Sequence, residues 1–166
     1  MVQTNHHSIA TLDDLRETLA TFDRSLSTSE LVELTSRLQL STKEWQKHLR
    51  FDPQSFCYQT LYESEYFEIN IIGWRSGQFS SVHDHRGTAC CVLVLQGVLT
   101  NIDYSLLPEE RLLQRSRFDL TAGEILSRSG WEIHCCGNEQ SAGIDLVTLH
   151  LYSPPLRPLS EREYRV

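Results

Sequence analysis

Ser80–Gly97 reads S-S-V-H-D-H-R-G-T-A-C-C-V-L-V-L-Q-G. Its first half alternates in polarity. A strand sends successive side chains to opposite faces, so His83 and His85 share one face and Asp84 takes the other. Two imidazoles at that spacing reach one cation. Cys90–Leu95 is the longest apolar run in the chain and is far too short to span a bilayer. Gly77, six residues before His83, and Gly97, twelve after His85, bracket a strand–turn–strand unit.

Outward from this stretch, the texture stays short, β-branched and aromatic, with Gly, Asn, Asp and Pro as punctuation. Strands are expected near 57–62, 66–73, 79–85, 89–95, 98–104, 116–120, 124–128, 132–136 and 143–152, with a polar hairpin loop over Tyr104–Gln114. Many short strands with no long helix between them indicate an antiparallel sandwich or barrel. The first fifty residues read differently. Thr11 and Asp14 suit a helix start ahead of Leu15, Leu19 and Phe22. Ser27–Ser29 caps a second helix carrying Leu31, Leu34 and Leu38, and Ser41 with Glu44 opens a third through Trp45 and Leu49. Pro53 ends this region. The organisation expected is an all-β domain with an N-terminal helical segment: residues 1–55 packed on a small barrel, residues 56–166 forming the barrel with an extended C-terminal tail.

Composition narrows the function classes. The chain has 166 residues, 40% apolar and 22% charged, with a formal net charge of −7. That is the balance of one globular domain. An acidic chain lacks the field that attracts phosphate backbones, so nucleic acid is not an expected partner. Nor is a membrane. Met1–Ala10 has neither the basic flank nor the apolar core of a signal peptide, and a cytoplasmic monomer is the expectation. Five cysteines, Cys57, Cys90, Cys91, Cys135 and Cys136, form no C-x-x-C and contain two adjacent pairs. Neither a disulfide framework nor a zinc knuckle fits, and most read as small buried side chains.

Of seven histidines, His6, His7 and His48 read as solvated. His134 opens a second unit, in which Gly123, Ser129, Gly130, Trp131, His134 and Asn138 follow one another at fixed spacing. In the last predicted strand Thr148, His150 and Tyr152 share one face, and Val147, Leu149 and Leu151 the other. A polar row inside a barrel must be hydrogen-bonded, which points to a relay from Thr148 through His150 to the Tyr152 hydroxyl. The same row facing water would be the alternative.

Together these two units resemble the two-part cupin signature, G-x5-H-x-H-x(3,4)-E-x6-G followed by G-x5-P-x-G-x2-H-x3-N. The match falls at Gly77, His83, His85, Gly97, Gly123, His134 and Asn138. It departs where Cys90 stands at the Glu position, Ser129 at the Pro and Trp131 at the second Gly. With T-L-H-L-Y-S-P-P at Thr148–Pro155, this is similar to the cysteine dioxygenase branch of the cupins. The resemblance implies a small jelly-roll β-barrel and an Fe(II) ion held by His83, His85 and His134. It implies O2 as co-substrate, Tyr152, His150 and Thr148 as catalytic residues, and a thioether link between Cys90 and Tyr152.

Three neutral imidazoles leave a divalent iron its full charge, which favours an anionic, soft thiolate. The function implied is addition of both atoms of O2 to the sulfur of a small thiol, cysteine or a relative such as 3-mercaptopropionate, giving a sulfinic acid. The resemblance also implies an arginine on an early strand, where a two-pronged guanidinium would hold a substrate carboxylate. That position falls on Tyr58 or Thr60 here, and neither is charged. Arg86, directly after the H-x-H pair, is the nearest substitute in the chain, with Arg75 and Arg157 as others. Tyr58 and Arg86 are therefore the candidate substrate-binding residues. Two alternatives stand beside this reading: a three-histidine zinc or nickel cupin performing hydrolysis or isomerisation, and a non-enzymatic cupin that binds a small molecule.

Overall fold

The computed structural model describes residues 8–156 and 162–164. Three helices, α1 (Leu12–Ala20), α2 (Thr28–Ser36) and α3 (Thr42–Gln46), come first. Ten strands follow: β1 (Cys57–Glu63), β2 (Glu68–Trp74), β3 (Val82–Asp84), β4 (Ala89–Gln96), β5 (Val98–Leu106), β6 (Leu112–Thr121), β7 (Ile125–Arg128), β8 (Ile133–Gly137), β9 (Leu146–Ser153) and β10 (Arg162–Tyr164). The strands form two five-stranded sheets, ordered β1-β2-β9-β4-β7 and β10-β3-β8-β5-β6. All strand pairs within them are antiparallel. The result is a jelly roll of two facing sheets, open at its edges.

The helices begin where local chemistry satisfies their first amides. Thr11 Oγ1 accepts from the Asp14 amide at 3.0 Å while Asp14 returns the bond to the Thr11 amide at 3.1 Å, and Ser27 and Glu30 do the same for α2. The Arg24 guanidinium and the Ser27 donors hold the Glu30 carboxyl down to about 2. The third helix departs from its expected cap. Ser41 makes no side-chain cap bond; Glu44 instead accepts from the Leu12 amide at 3.4 Å, tying α3 to α1. That helix also stops at Gln46, short of Leu49.

Period-2 alternation splits the first sheet between two cores. Ile69, Ile71, Cys91, Leu93, Val147, Leu149 and Leu151 face outward and pack with Leu15, Leu19, Leu31, Leu34 and Trp45 of the helices. Ile72, Trp74, Cys90, Val92, Val94, Leu146 and Tyr152 face inward and meet Leu99, Leu120 and Cys136 from the second sheet. Both faces are covered, so β9 is buried along its whole length. The bond from the Leu26 amide to Ser153 Oγ at 2.9 Å, and from that hydroxyl to the Tyr66 carbonyl at 2.8 Å, fixes the helical segment to the end of β9.

Three strand boundaries differ from the sequence expectation. Tyr104–Gln114 is mostly strand rather than loop: β5 runs to Leu106 and β6 starts at Leu112. The edge strand β6 is exposed on nearly every residue and so lacks the apolar alternation that marks a strand. Of 79–85 only Val82–Asp84 is regular. Phe79 makes a lone bridge to Gly137, and Ser80 donates to the Cys136 carbonyl at 2.9 Å. The last long strand begins at Leu146, after a turn in which Gly143 takes φ 88°. The tail expected in extended form returns as β10, pairing with β3 from Arg162 opposite Asp84 to Tyr164 opposite Val82.

Candidate metal centre and cavity

Three imidazoles meet between the sheets. His83 on β3 sits directly opposite His134 on β8, and His85 follows just past the end of β3. Their ring centroids lie 5.0 Å (His83–His85), 4.8 Å (His83–His134) and 5.3 Å (His85–His134) apart, and all three side chains are buried. One nitrogen from each lies within 4.8 Å of the others.

The surroundings decide which nitrogen is bare. His83 Nδ1 faces the Ser81 carbonyl at 2.8 Å, an acceptor, so Nδ1 carries the proton and Nε2 the lone pair. His134 Nδ1 faces Asn101 Oδ1 at 2.9 Å. The orientation of that amide is set by Asn101 Nδ2, which donates to Asp103 at 2.8 Å, so His134 Nε2 is also bare. Arg128 and Ser116 in turn donate to Asp103, each at 2.6 Å. His134 Nε2 is buried with no hydrogen-bond partner, and His83 Nε2 lies 3.1 Å from His85 Nε2. The unpartnered lone pair of His134 Nε2, aimed between the other two rings, is what a cation would take up, and buried polar atoms are seldom left this way otherwise. Burial, with mutual repulsion between the rings, pushes His85 down to about 3 and His134 well below the usual imidazole range, so both rings are neutral. Among the described residues this cluster holds no carboxylate.

Asp84, on the opposite face, is a structural anchor. It accepts from the Arg86 amide at 2.9 Å and from the Tyr164 hydroxyl at 2.6 Å, holding the turn and β10. The Gly130 carbonyl takes the amides of His85 (3.0 Å) and Gly87 (3.1 Å), bracing the end of the H-x-H segment. A Cβ on Gly130 would stand 2.5 Å from Gly87 and Thr88 backbone atoms, so only glycine allows this approach.

The polar face of β9 forms a continuous chain. Trp74 Nε1 donates to Thr148 Oγ1 at 2.9 Å, Thr148 Oγ1 lies 2.9 Å from His150 Nε2, and His150 Nδ1 lies 3.1 Å from the Tyr152 hydroxyl. Burial pushes His150 down to about 3, with His85 and His83 adding to the shift. The Tyr152 ring lies 5.6 Å from that of His85. Tyr152 is directly opposite Cys90 across β9 and β4, and their side chains interact. Burial raises the Cys90 thiol well above its usual range, the neighbouring Cys91 and Cys136 thiols adding to this and Tyr152 opposing it.

Histidines and relay line a cavity of about 750 Å³ between the sheets. Tyr58 and Thr60 of β1 line it too, Tyr58 at the mouth with 61% exposure. Arg86 does not. It is exposed on the turn after β3, where φ values of 49° at Arg86 and 92° at Gly87 turn the chain toward the surface. Arg75 also lies outside, paired with Asp145 at 2.7 Å. His48, expected to be solvated, is partly buried, and that burial lowers its pKa. His6, His7 and Arg157 lie outside the described residues.

Sequence reasoning passed over Trp74, Asn101, Asn70 and Glu68. The available signal was a polar residue inside an apolar strand, Asn70 in E-I-N-I-I and Asn101 in L-T-N-I, where asparagine is disfavoured unless it binds something.

Comparison with known proteins agrees with this geometry. The family model described as cysteine dioxygenase type I matches residues 1–164. Cysteine dioxygenase type 1 of Danio rerio is 28% identical over 95% of this chain and 81% of its own length. The Rattus norvegicus protein of the same name is 27% identical over 68% of this chain, a match spanning 58% of that relative. Among solved structures, a cupin superfamily protein from Desulfitobacterium hafniense superposes with a TM-score of 0.51 at 16% identity, over 64% of this chain and 84% of that one, a likeness of fold. With the family model spanning nearly all of the sequence, the chain belongs to the cysteine dioxygenase type I family.

Proposed function

We propose that this protein is an iron(II)-dependent thiol dioxygenase. A small thiol and O2 give the sulfinic acid; the sulfur is oxidised, O2 is reduced, and every atom is retained. The observation that carries this reading is the buried trio His83, His85 and His134, with one ring nitrogen of each within 4.8 Å of the others, that of His134 unpartnered, and no carboxylate among them. Bound there, ferrous iron would supply the redox chemistry that joins a thiolate sulfur to dioxygen. A centre with no anionic protein ligand favours an anionic substrate sulfur.

The chain's own residues do the rest. Trp74 Nε1 can only donate to Thr148 Oγ1, so the arrangement that satisfies every group of the row sends the Thr148 proton to His150 Nε2. His150 Nδ1 then carries a proton and donates to the Tyr152 oxygen, which leaves the phenol proton for the Cys90 thiol beside it or for a bound substrate. A positioned donor of this kind stabilises charge that develops on oxygen. Cys90, opposite Tyr152, is the partner for a thioether to that ring, in which the thiol S–H and one ring C–H are replaced by a C–S bond and O2 takes the two electrons and two protons; the link would fix the phenol and remove its rotamer freedom. The linked chain would be lighter by the mass of two hydrogens.

The test is oxygen uptake by iron-loaded protein supplied with a small thiol, with sulfinate followed by mass spectrometry. Thiol-dependent uptake with sulfinate formed mole for mole is expected. His134→Ala should lower the rate more than about tenfold. A smaller loss, or equal turnover with zinc in place of iron, counts against the proposal and favours hydrolytic or isomerase chemistry.

A further inference from the structure

We infer that the cavity is built for an aminothiol without a carboxylate, its sulfur toward the histidines and its ammonium against Asn70 and Glu68. The inference rests on the thiol dioxygenase reading and narrows its substrate. Family resemblance places a guanidinium on the early strand, where it would hold a carboxylate. Here that position falls on Tyr58 or Thr60, neither of them charged, and Thr60 is directly opposite Asn70 of β2, which is itself directly opposite His150. The row from β1 to the relay thus runs Thr60, Asn70, His150 and contains no cation.

What stands there accepts hydrogen bonds. Glu68, Asn70, Ile72 and Trp74 alternate onto the cavity face of β2. Asn70 Nδ2 donates to Glu68 Oε1 at 2.7 Å, which fixes the amide so that Oδ1 points away from Glu68. Asn70 is only 6% exposed, and its Oδ1 is buried with no partner. A buried carbonyl oxygen left bare needs a donor, and this one belongs to a cavity-lining side chain. Glu68 holds its second oxygen 2.9 Å from the Leu156 amide and keeps free lone pairs on both oxygens. Glu63 and Glu163 also line the cavity, and no Lys or Arg does among the described residues. The field therefore favours a cationic end group and opposes a carboxylate. Glu68 is directly opposite Tyr152, so a ligand spanning from the histidines past the relay tyrosine meets the acceptors.

The experiment is anaerobic calorimetric binding to the iron(II)-loaded protein. The ligands are cysteamine, 3-aminopropane-1-thiol, the neutral 2-mercaptoethanol, 3-mercaptopropionate and L-cysteine. At least one aminothiol should bind roughly tenfold or more tightly than 2-mercaptoethanol, the effect of one charge-assisted hydrogen bond, and both carboxylated thiols more weakly than that aminothiol. Asn70→Leu and Glu68→Gln should each shrink the preference for the amine, while Asn70→Asp, which keeps an acceptor, should retain or increase it. Melting temperature and iron content report whether each variant is folded and loaded. Tighter binding of L-cysteine or 3-mercaptopropionate overturns this inference and leaves the dioxygenase reading standing. So does an amine preference untouched in every folded variant. Failure of all five thiols to bind loaded protein removes the dioxygenase reading itself, and this inference with it.

Discussion

The indole of Trp74 stands at the head of the row, hydrogen-bonded to Thr148, and it biases the direction of the relay. A threonine hydroxyl accepts two bonds and donates one. Trp74 Nε1 can only donate, at 2.9 Å, so a Thr148 proton given to His150 Nε2 satisfies all three groups at once. Trp74→Phe removes that obligate donor and with it the bias. His150 can then equally donate from Nε2 to Thr148 and accept from Tyr152, which turns the phenol proton away from the substrate. The expected outcome is a kcat lower by about 10–100-fold, the size usual for losing a partner that orients a site residue. Iron content should be unchanged and KM should stay within about twofold, because phenylalanine keeps an apolar ring on the cavity face. Steady-state kinetics with metal analysis reads both. A kcat equal to the parent's would show that the indole contributes packing alone.

Strands and helices divide the labour between site and stability. Along β9 even-numbered residues build the relay and odd-numbered ones pack on the helices, so one strand serves both. Leu31 of α2 is fully buried on the helical side of this sheet, away from the cavity. Leu31→Ala should destabilise by about 2–5 kcal/mol, read from urea unfolding, with iron stoichiometry intact at 25 °C. Loss of metal binding in the folded variant would mean that the two faces are coupled. The same alternation explains what could be read from the sequence alone. His83 and His85 on a common face, and Thr148, His150 and Tyr152 on another, follow from period 2 and strong β patterning. The capping boxes at Thr11 and Ser27 follow from local chemistry. The reach of β5 and β6 into Tyr104–Gln114 does not, because an edge strand has no apolar face to signal it. Nor do the Asn101–His134 and Trp74–Thr148 bonds, which depend on register between strands far apart in sequence.

At the scale of the whole molecule, the buried site sets the pH range in which the fold is stable. His85 and His150 are held down to about 3 and His134 well below its ordinary value, in each case chiefly by burial. The unfolded chain takes up a proton at each near the ordinary value of 6.5, while the folded chain does not. Between those limits the unfolded state binds more protons, so stability falls as pH falls from about 6.5 toward 3. Each group contributes a slope approaching about 1.4 kcal/mol per pH unit. The thiols act at the other end. Burial raises Cys91 to about 11 and Cys90 further above its ordinary value of 9.0, so stability is lost as pH rises past 9. Metal-free protein should therefore be most stable between about pH 6.5 and 9. Urea midpoints at pH 7, 6 and 5 should decline steadily. His150→Gln, which carries no titrating ring, should flatten part of that decline, and added Fe(II) should raise the midpoint throughout this range, because it binds the folded site. A midpoint independent of pH across this range would mean that the rings reach water in the folded state, and the buried neutral rings of His85, His134 and His150 would have to be abandoned.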